Sequence, residues 1–367
     1  MSKDGNNSNK CPICGRPTHK ESKYCIFNAS AEEKTKKEFK NALKEYIRGI
    51  KEGDEDYNFK RFIFVGNINF KEVFGVDIFK NANFVRAIFK GRVVFENVIF
   101  RGVCSELAVE HFKITDIPPI IIAVDFLSAI FEEDVYFNHV SFNGWAIFWS
   151  VLLKGTVNFQ DVIFNDITSF SSGTFKMNAE FSEVTFKESV DFKNVTFERD
   201  AHFSLIGENY IPFEIDFENM TMLPGNNFYI ETGLNKCELL LRKIFVENDY
   251  LELHLNENVL IDFTDAIIKN TKIKKEQIKN NILQEKRNEF SNAKEIYIIL
   301  KNNYHSSGRY DEESRAYLKE REMDRLSQSF PYYKKNLKEE EKQEKLPFLK
   351  WIGKGNFIKW IISVFQI

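Results

Sequence analysis

From Phe126 to Phe203 the large apolar residues fall at steps of five and six without a slip. They are Phe126, Phe131, Phe137, Phe142, Phe148, Leu153, Phe159, Phe164, Phe170, Phe175, Phe181, Phe186, Phe192, Phe197 and Phe203. Leu153 is the only one that is not Phe. Two residues before each stands a small or β-branched residue, from Val124, Ala129 and Val135 through to Val195 and Ala201. Residues two apart share a face of an extended chain, so each pair points the same way. The residue between them points outward and is often polar, as at Asp125, Ser141, Asn158, Glu180, Asp191 and His202. Steps of five and six would scatter Phe around a helix axis. A plain amphipathic strand would alternate without interruption. Short inward pairs broken by turns predict a coil with corners. Four steps, 5+6+5+6, close one turn in about 22 residues, if each step is one side of a square. That register stacks Phe137, Phe159, Phe181 and Phe203 in one column and Phe142, Phe164 and Phe186 in another, at the ~4.8 Å spacing of adjacent strands.

Upstream the register is looser but present, with Phe59, Phe64 and Phe70, then Phe79, Phe84, Phe89, Phe95 and Phe100. Between Val103 and Val124 it fails around Pro118-Pro119, and a bulging loop is expected there because Pro cannot donate to a ladder. Downstream, Ile215-Asp-Phe217 and Glu238-Leu-Leu-Leu241 read as strands that continue or cap the coil, since a solenoid end needs a cap.

The chain of 367 residues contains 37 Phe and 8 Pro, a bias that an internal repeat explains and an ordinary mixed core does not. The pattern, clearest in Ala179-Glu-Phe-Ser-Glu-Val-Thr-Phe-Lys-Glu-Ser-Val-Asp-Phe-Lys-Asn-Val-Thr-Phe197, resembles the pentapeptide-repeat family. It departs from the simplest family repeat by one extra residue in every second unit. The resemblance implies a mainly β fold, a right-handed quadrilateral β-helix, here followed by a helical C-terminal region. The expected organisation is a Cys-rich segment at 1–29, a capping helix at 30–53 and the β-helix with its cap at 57–265. A helical hairpin region at 271–330 and a charged linker with an apolar, aromatic tail at 331–367 complete it.

The N-terminal segment carries Cys11-Pro-Ile-Cys14-Gly, His19 and Cys25. Two Cys two residues apart before a Gly suit adjacent thiolate ligation of zinc, with Cys25 as third ligand and His19 as the available fourth. One structural zinc on Cys11, Cys14, His19 and Cys25 is one reading; a reduced Cys cluster without metal is the other. Five Cys in a chain of this length make no disulfide framework, which favours a reducing, cytoplasmic setting. Ser30-Ala-Glu-Glu33 has the form of a capping box ahead of Phe39, Leu43 and Tyr46 at helical spacing. This helix is expected to end near Gly49 or Gly53 and to cover the N-terminal edge of the coil. Near the other end, Ala293 to Tyr304 and Asp311 to Leu326 predict an αα-hairpin with Tyr297, Leu300, Tyr304, Tyr310 and Tyr317 on its contact face.

The remaining chemistry narrows the functional classes. The six His form no metal-type i, i+4 pair, and neither a phosphate loop nor a Gly-x-Ser-x-Gly elbow occurs, so no catalytic or cofactor-binding residues are assigned. A net charge of −3 and a pI near 6.2 disfavour nucleic-acid binding. The leading expectation is a non-catalytic scaffold whose rigid faces bind a protein partner, with a homodimer compatible. A second is a membrane-associated sensor or channel-related protein, peripheral at the inner membrane face through residues 348–367, where Trp and Phe mix with Lys. A third follows from the resemblance, which extends to DNA-mimicking, gyrase-binding members. Those need a strongly acidic face, and the 18 acidic against 14 basic residues from Phe59 to Phe203 do not supply one.

Overall fold

The computed structural model describes residues 9–53, 56–103, 121–207, 213–234, 236–247, 250–256, 258–271, 273 and 281–329. Its centre is a parallel β-solenoid. The inward alternation makes each side of a turn a strand of a few residues, and each strand pairs with its equivalents one turn away. Among the described residues this gives a nine-stranded sheet, an eight-stranded sheet, and a twelve-stranded sheet of two columns joined through the long strand Ala179–Phe186. The expected 22-residue turn is observed, with Val135 opposite Val157, Val157 opposite Ala179 and Ala179 opposite Ala201.

The Phe columns stack as the spacing requires. Ring centroids are 4.6 Å apart for Phe137 and Phe159, 4.8 Å for Phe159 and Phe181, and 4.5 Å for Phe181 and Phe203. The column of Phe142, Phe164 and Phe186 keeps 4.7 and 4.9 Å. Between columns the rings meet edge to face, as Phe159 and Phe170 do at 5.6 Å and 86°. Parallel stacking along the axis and perpendicular contact across it are both arrangements that the aromatic quadrupole favours when rings are offset.

The corners are of two kinds. In the five-residue steps, Ser128, His139, Ser150, Asp161, Ser172, Glu183 and Asn194 take φ of 52–58°, each two residues after its ladder Phe. Every second one closes a β-turn, as where Gly173 N–H donates to Phe170 O at 2.9 Å. Left-handed backbone is costly for bulky residues, which explains the polar residues at this position. The outward residue before the Phe pins the same corner: Asp125, Asp191, Asp216 and Asp262 each accept from the N–H two residues on, at 2.8–2.9 Å. In the six-residue steps the chain bends without such a bond, and the coils approach closely at Gly155.

The irregular stretch does not stop the coil. Phe84 stacks on Phe126 at 4.7 Å, Phe89 on Phe131 at 4.6 Å and Phe95 on Phe137 at 4.9 Å. These pairs are 42 residues apart, one 22-residue turn plus an insertion between Arg101 and Ile122. Pro118 and Pro119 lie outside the described residues. Downstream, Ile215 pairs with Val190 and with Leu239, so these strands continue the solenoid. Among the described residues the strand column that holds Phe142, Phe164 and Phe186 ends at Phe186, and later turns carry longer strands, Ala201–Leu205, Asn227–Thr232 and Tyr250–Leu255. Leu and Ile progressively replace Phe inside, as at Leu251, Leu253 and Ile261.

Both ends are closed. Helix α1 (Lys36–Gly53) buries Phe39, Leu43, Ile47 and Ile50 against the first turn. Its capping exchange is made by Thr35 and Glu38, at 2.9 and 3.2 Å, while Ser30 N–H donates to Glu33 in the turn before it. The helix therefore starts later than the capping-box reading placed it. The short helix α2 (Phe70–Phe74) lies within the first turns. At the far end, Ile282 bridges to Ile261, followed by α3 (Leu283–Lys286), α4 (Phe290–Ser306) and α5 (Tyr310–Ser327). Buried Asn303 on α4 takes the place of a further strand: its Oδ1 accepts from Thr271 N–H at 2.9 Å and its Nδ2 donates to Thr271 O at 3.2 Å. The hairpin forms as expected, with Tyr297, Leu300 and Tyr304 buried. Tyr310 and Tyr317 stand at the rim of the contact face, 67% and 46% exposed, with Tyr310 edge-on to His305 and Lys301 over the Tyr317 ring, while Ala316 and Met323 are the buried residues of α5.

Candidate metal centre and outward faces

The N-terminal segment folds as a knuckle. Lys10 bridges Pro17 in antiparallel fashion, Cys11 N–H donates to Arg16 O at 2.7 Å, and Gly15 N–H returns to Cys11 O at 2.8 Å. Gly15 takes φ +71°, the conformation that lets the chain reverse directly after Cys14. A second tight turn follows at Cys25, whose carbonyl accepts from Asn28 N–H at 3.0 Å and Ala29 N–H at 2.8 Å.

These two turns bring the sulfur atoms of Cys11, Cys14 and Cys25 within 4.8 Å of one another, close enough to hold a metal ion. Cys11 and Cys25 are buried and Cys14 is exposed. Burial opposes ionisation of Cys11, yet N–H groups of Cys25, Ile13 and Cys14 directed at its sulfur outweigh it and lower its pKa. Burial and the adjacent Cys14 push Cys25 up to about 12. Three thiols this close resist joint ionisation unless a cation lies among them. Arg16 supplies one positive charge beside Cys14, its guanidinium 4.8 Å from the Tyr46 ring centroid and 5.5 Å from that of Phe27.

His19, expected as fourth ligand, is not part of the group within 4.8 Å. It sits in its own turn, with Ser22 N–H donating to His19 O at 2.9 Å, and its Nε2 is buried without a hydrogen-bond partner. The residue that does converge on the thiols is Asn28. Its Oδ1 lies 3.5 Å from Cys11 Sγ, 3.3 Å from Cys14 Sγ and 3.1 Å from Cys25 Sγ. The sequence signal was available in Cys25-Ile-Phe-Asn28, which repeats the Cys-x-x spacing of the first knuckle with Asn at its last position.

The knuckle also seals the first turn of the solenoid. Along that edge, Asn58 O accepts from Tyr46 Oη at 2.7 Å, Arg61 O from Asn28 Nδ2 at 2.7 Å, and Ile63 O from Lys34 Nζ at 2.7 Å. Ile63 N–H donates to Phe27 O at 2.7 Å. Lys34 is 5% exposed and also donates to Ile26 O at 2.7 Å and Phe27 O at 3.3 Å. Burial pushes it down to about 7, while three carbonyls match the three N–H donors of the ammonium. Lys34→Met is expected to leave the carbonyls of Ile26 and Ile63 unpaired and to destabilise the N-terminal cap by on the order of 2–4 kcal/mol. Hydrogen exchange of the Phe27 and Ile63 region would show this as faster opening, and unchanged protection there would refute it.

The outward faces carry charge in self-neutralising rows. Glu132 pairs with Lys90 at 3.3 Å and Lys154 at 3.0 Å, and Lys176 pairs with Glu198 at 3.1 Å. His202 meets Glu180, one turn away, at 2.6 Å. A groove of about 710 Å³ beside α1 is lined by Lys34, Lys36, Lys90 and Arg92 with Glu133 and Asp134; Lys34 is turned onto the carbonyls of Ile26 and Ile63, and Lys90 and Arg92 pair with Glu132 and Asp134. No helix among the described residues is long and apolar enough to cross a membrane. The tail at 348–367 lies outside the described residues.

A parallel solenoid with paired small and Phe residues inside and a closed cap at each end defines a structural repeat protein. Residues 148–196 match the family of pentapeptide repeats, in nine copies, and the coil is a pentapeptide-repeat β-solenoid. No curated protein and no solved structure matches the chain.

Proposed function

We propose that the protein is a non-catalytic scaffold that docks a protein partner on the nine-stranded sheet, with a structural zinc in its N-terminal knuckle. The observation that carries the reading is the outward ladder of that sheet. Ile63, Ile88, Ile130, Leu152, Thr174 and Thr196 lie in register on successive turns. The ladder continues through Thr221 and exposed Phe245 and Ile267. None is charged, and the ion pairs beside them satisfy one another. Nine strands at ~4.8 Å spacing make a flat, uncharged strip about 40 Å long. Such a strip suits a protein surface with few charges, since a charged partner would lose hydration without gaining a counter-charge.

Thr174→Glu with Thr196→Glu places two charges in the middle of the strip without touching the inward Phe. Partner capture by proximity crosslinking, followed by titration of the purified partner, is expected to lose at least tenfold in affinity. The control Glu180→Gln with His202→Gln, on another face, is expected to bind normally. A partner that binds the Thr174/Thr196 variant as well as the parent overturns this assignment of the face.

A further inference from the structure

We infer that Asn28 is the fourth ligand of a metal ion held by Cys11, Cys14 and Cys25, making the segment a Cys-x-x-Cys and Cys-x-x-Asn double knuckle. The inference deepens the proposed zinc site and rests on it.

Three observations converge. The first is geometric. Zinc–sulfur bonds of ~2.3 Å and zinc–oxygen bonds of ~2.0–2.2 Å at tetrahedral angles place sulfur about 3.5 Å from the oxygen and about 3.8 Å from another sulfur. Asn28 Oδ1 lies 3.5, 3.3 and 3.1 Å from the three Sγ atoms, and Cys14 Sγ lies 3.4 Å from Cys25 Sγ. These four edges thus stand within about 0.4 Å of that tetrahedron, and the two from Cys11 Sγ to the other sulfur atoms lie within 4.8 Å. The second is a matter of valence. An amide oxygen has two lone pairs and cannot be fully used as a hydrogen-bond acceptor by three thiols at once. As one corner of a metal tetrahedron it needs only one of them, and the sulfur atoms need no proton.

The third is orientation and charge. Asn28 is 4% exposed, and its Nδ2 donates to Arg61 O at 2.7 Å, so the carbonyl end of the amide is the end turned to the sulfur atoms. A partner that orients a metal ligand in this way is the usual companion of a built site. Zinc with three thiolates and a neutral amide carries one net negative charge, and Arg16 beside Cys14 offsets it. The Asn28–Arg61 bond also joins the metal to the first turn of the solenoid, so the ion would hold the cap in place as well as the knuckle.

The test uses the full chain, freed of metal and titrated with Co(II) under anaerobic conditions. The visible ligand-field bands report geometry, and the sulfur-to-cobalt charge-transfer intensity reports the number of thiolates. The expected parent spectrum is tetrahedral with three thiolates. Asn28→Cys should raise charge-transfer intensity by about a third, as three thiolates become four, and move the ligand-field bands to lower energy. Asn28→Ala should weaken binding by roughly 10–100-fold, and His19→Gln should leave spectrum and affinity within about twofold of the parent. Far-UV circular dichroism checks that each variant keeps its solenoid. If His19→Gln shifts the spectrum and Asn28→Ala does not, the fourth ligand is His19 and the assignment is overturned. If Asn28→Ala leaves spectrum and affinity unchanged while His19→Gln does too, the fourth ligand is water, which also overturns it. Absence of any tetrahedral cobalt spectrum in the parent removes the metal site itself, a failure distinct from the other two.

Discussion

Phe170→Ala is expected to destabilise the protein by about 3–5 kcal/mol, the range for truncating a large aromatic in a well-packed core. Phe170 is 0% exposed and lies between Phe148 and Phe192, at 4.6 and 4.8 Å, with its ring plane within 11° of each. Phe159 and Phe181 press their rings against it at nearly right angles, both at 5.6 Å. Neighbouring turns are held at fixed spacing by backbone hydrogen bonds, so the stack cannot close over the missing ring. A cavity therefore remains, and its cost adds to the lost transfer free energy. Urea denaturation followed by far-UV circular dichroism measures the effect. Because each turn contacts mainly its neighbours, the transition should also broaden, with the turns on either side of Phe170 beginning to unfold separately. A loss below about 1 kcal/mol would show that the Phe column is not the principal core.

Gly155→Ala is the second large effect, and it acts through the backbone. A Cβ on Gly155 would lie 2.3 Å from Glu133 C and 2.4 Å from Asp134 N, on the turn beneath. No side chain is involved that could rotate away. The two turns would have to part, straining the bonds from Val135 N–H to Thr156 O at 3.0 Å and from Thr156 N–H to Asp134 Oδ1 at 3.0 Å. The expected cost is about 2–4 kcal/mol, in the range of changes that break a buried hydrogen-bonded contact. Gly49→Ala provides the opposite case, since it is an exposed helical position with open space around it. There the substitution should stabilise by roughly 0.8–1 kcal/mol, through helix propensity alone. Thermal denaturation of the two variants beside the parent should move in opposite directions; a shared direction would contradict the account of Gly155.

The core was legible because its signal is local. Each Phe faces inward together with the residue two before it, and that relation needs no knowledge of any distant segment. The 22-residue turn follows from the same spacing, and with it the stack of Phe137, Phe159, Phe181 and Phe203. Positions that depend on phase between elements were harder. Tyr310 and Tyr317 share an apolar appearance with Tyr297 and Tyr304, but only the angle at which α5 meets α4 decides which side of α5 is covered. The helix start at Lys36 rather than beside Ser30 is a similar case. Lys34 must leave the helical path to reach Ile63 O, a demand that no local capping rule contains. In the knuckle, the spacing marked the three Cys as candidate ligands, whereas Asn28 drew no such attention, because Asn is common in turns and rarely signals a metal.

What the sequence by itself determined is the inside of the coil: which residues face in and how many close a turn. These follow from strand periodicity, a property of a few consecutive residues. Only the tertiary structure decided that the coil runs on through a 20-residue insertion, that among the described residues one strand column ends at Phe186, and that Tyr46, Asn28 and Lys34 seal three carbonyls of the first turn. It also decided that three sulfur atoms and one amide oxygen meet at a point. The reason is that such contacts join segments far apart along the chain, and their energies depend on distances that exist only once the chain has closed on itself.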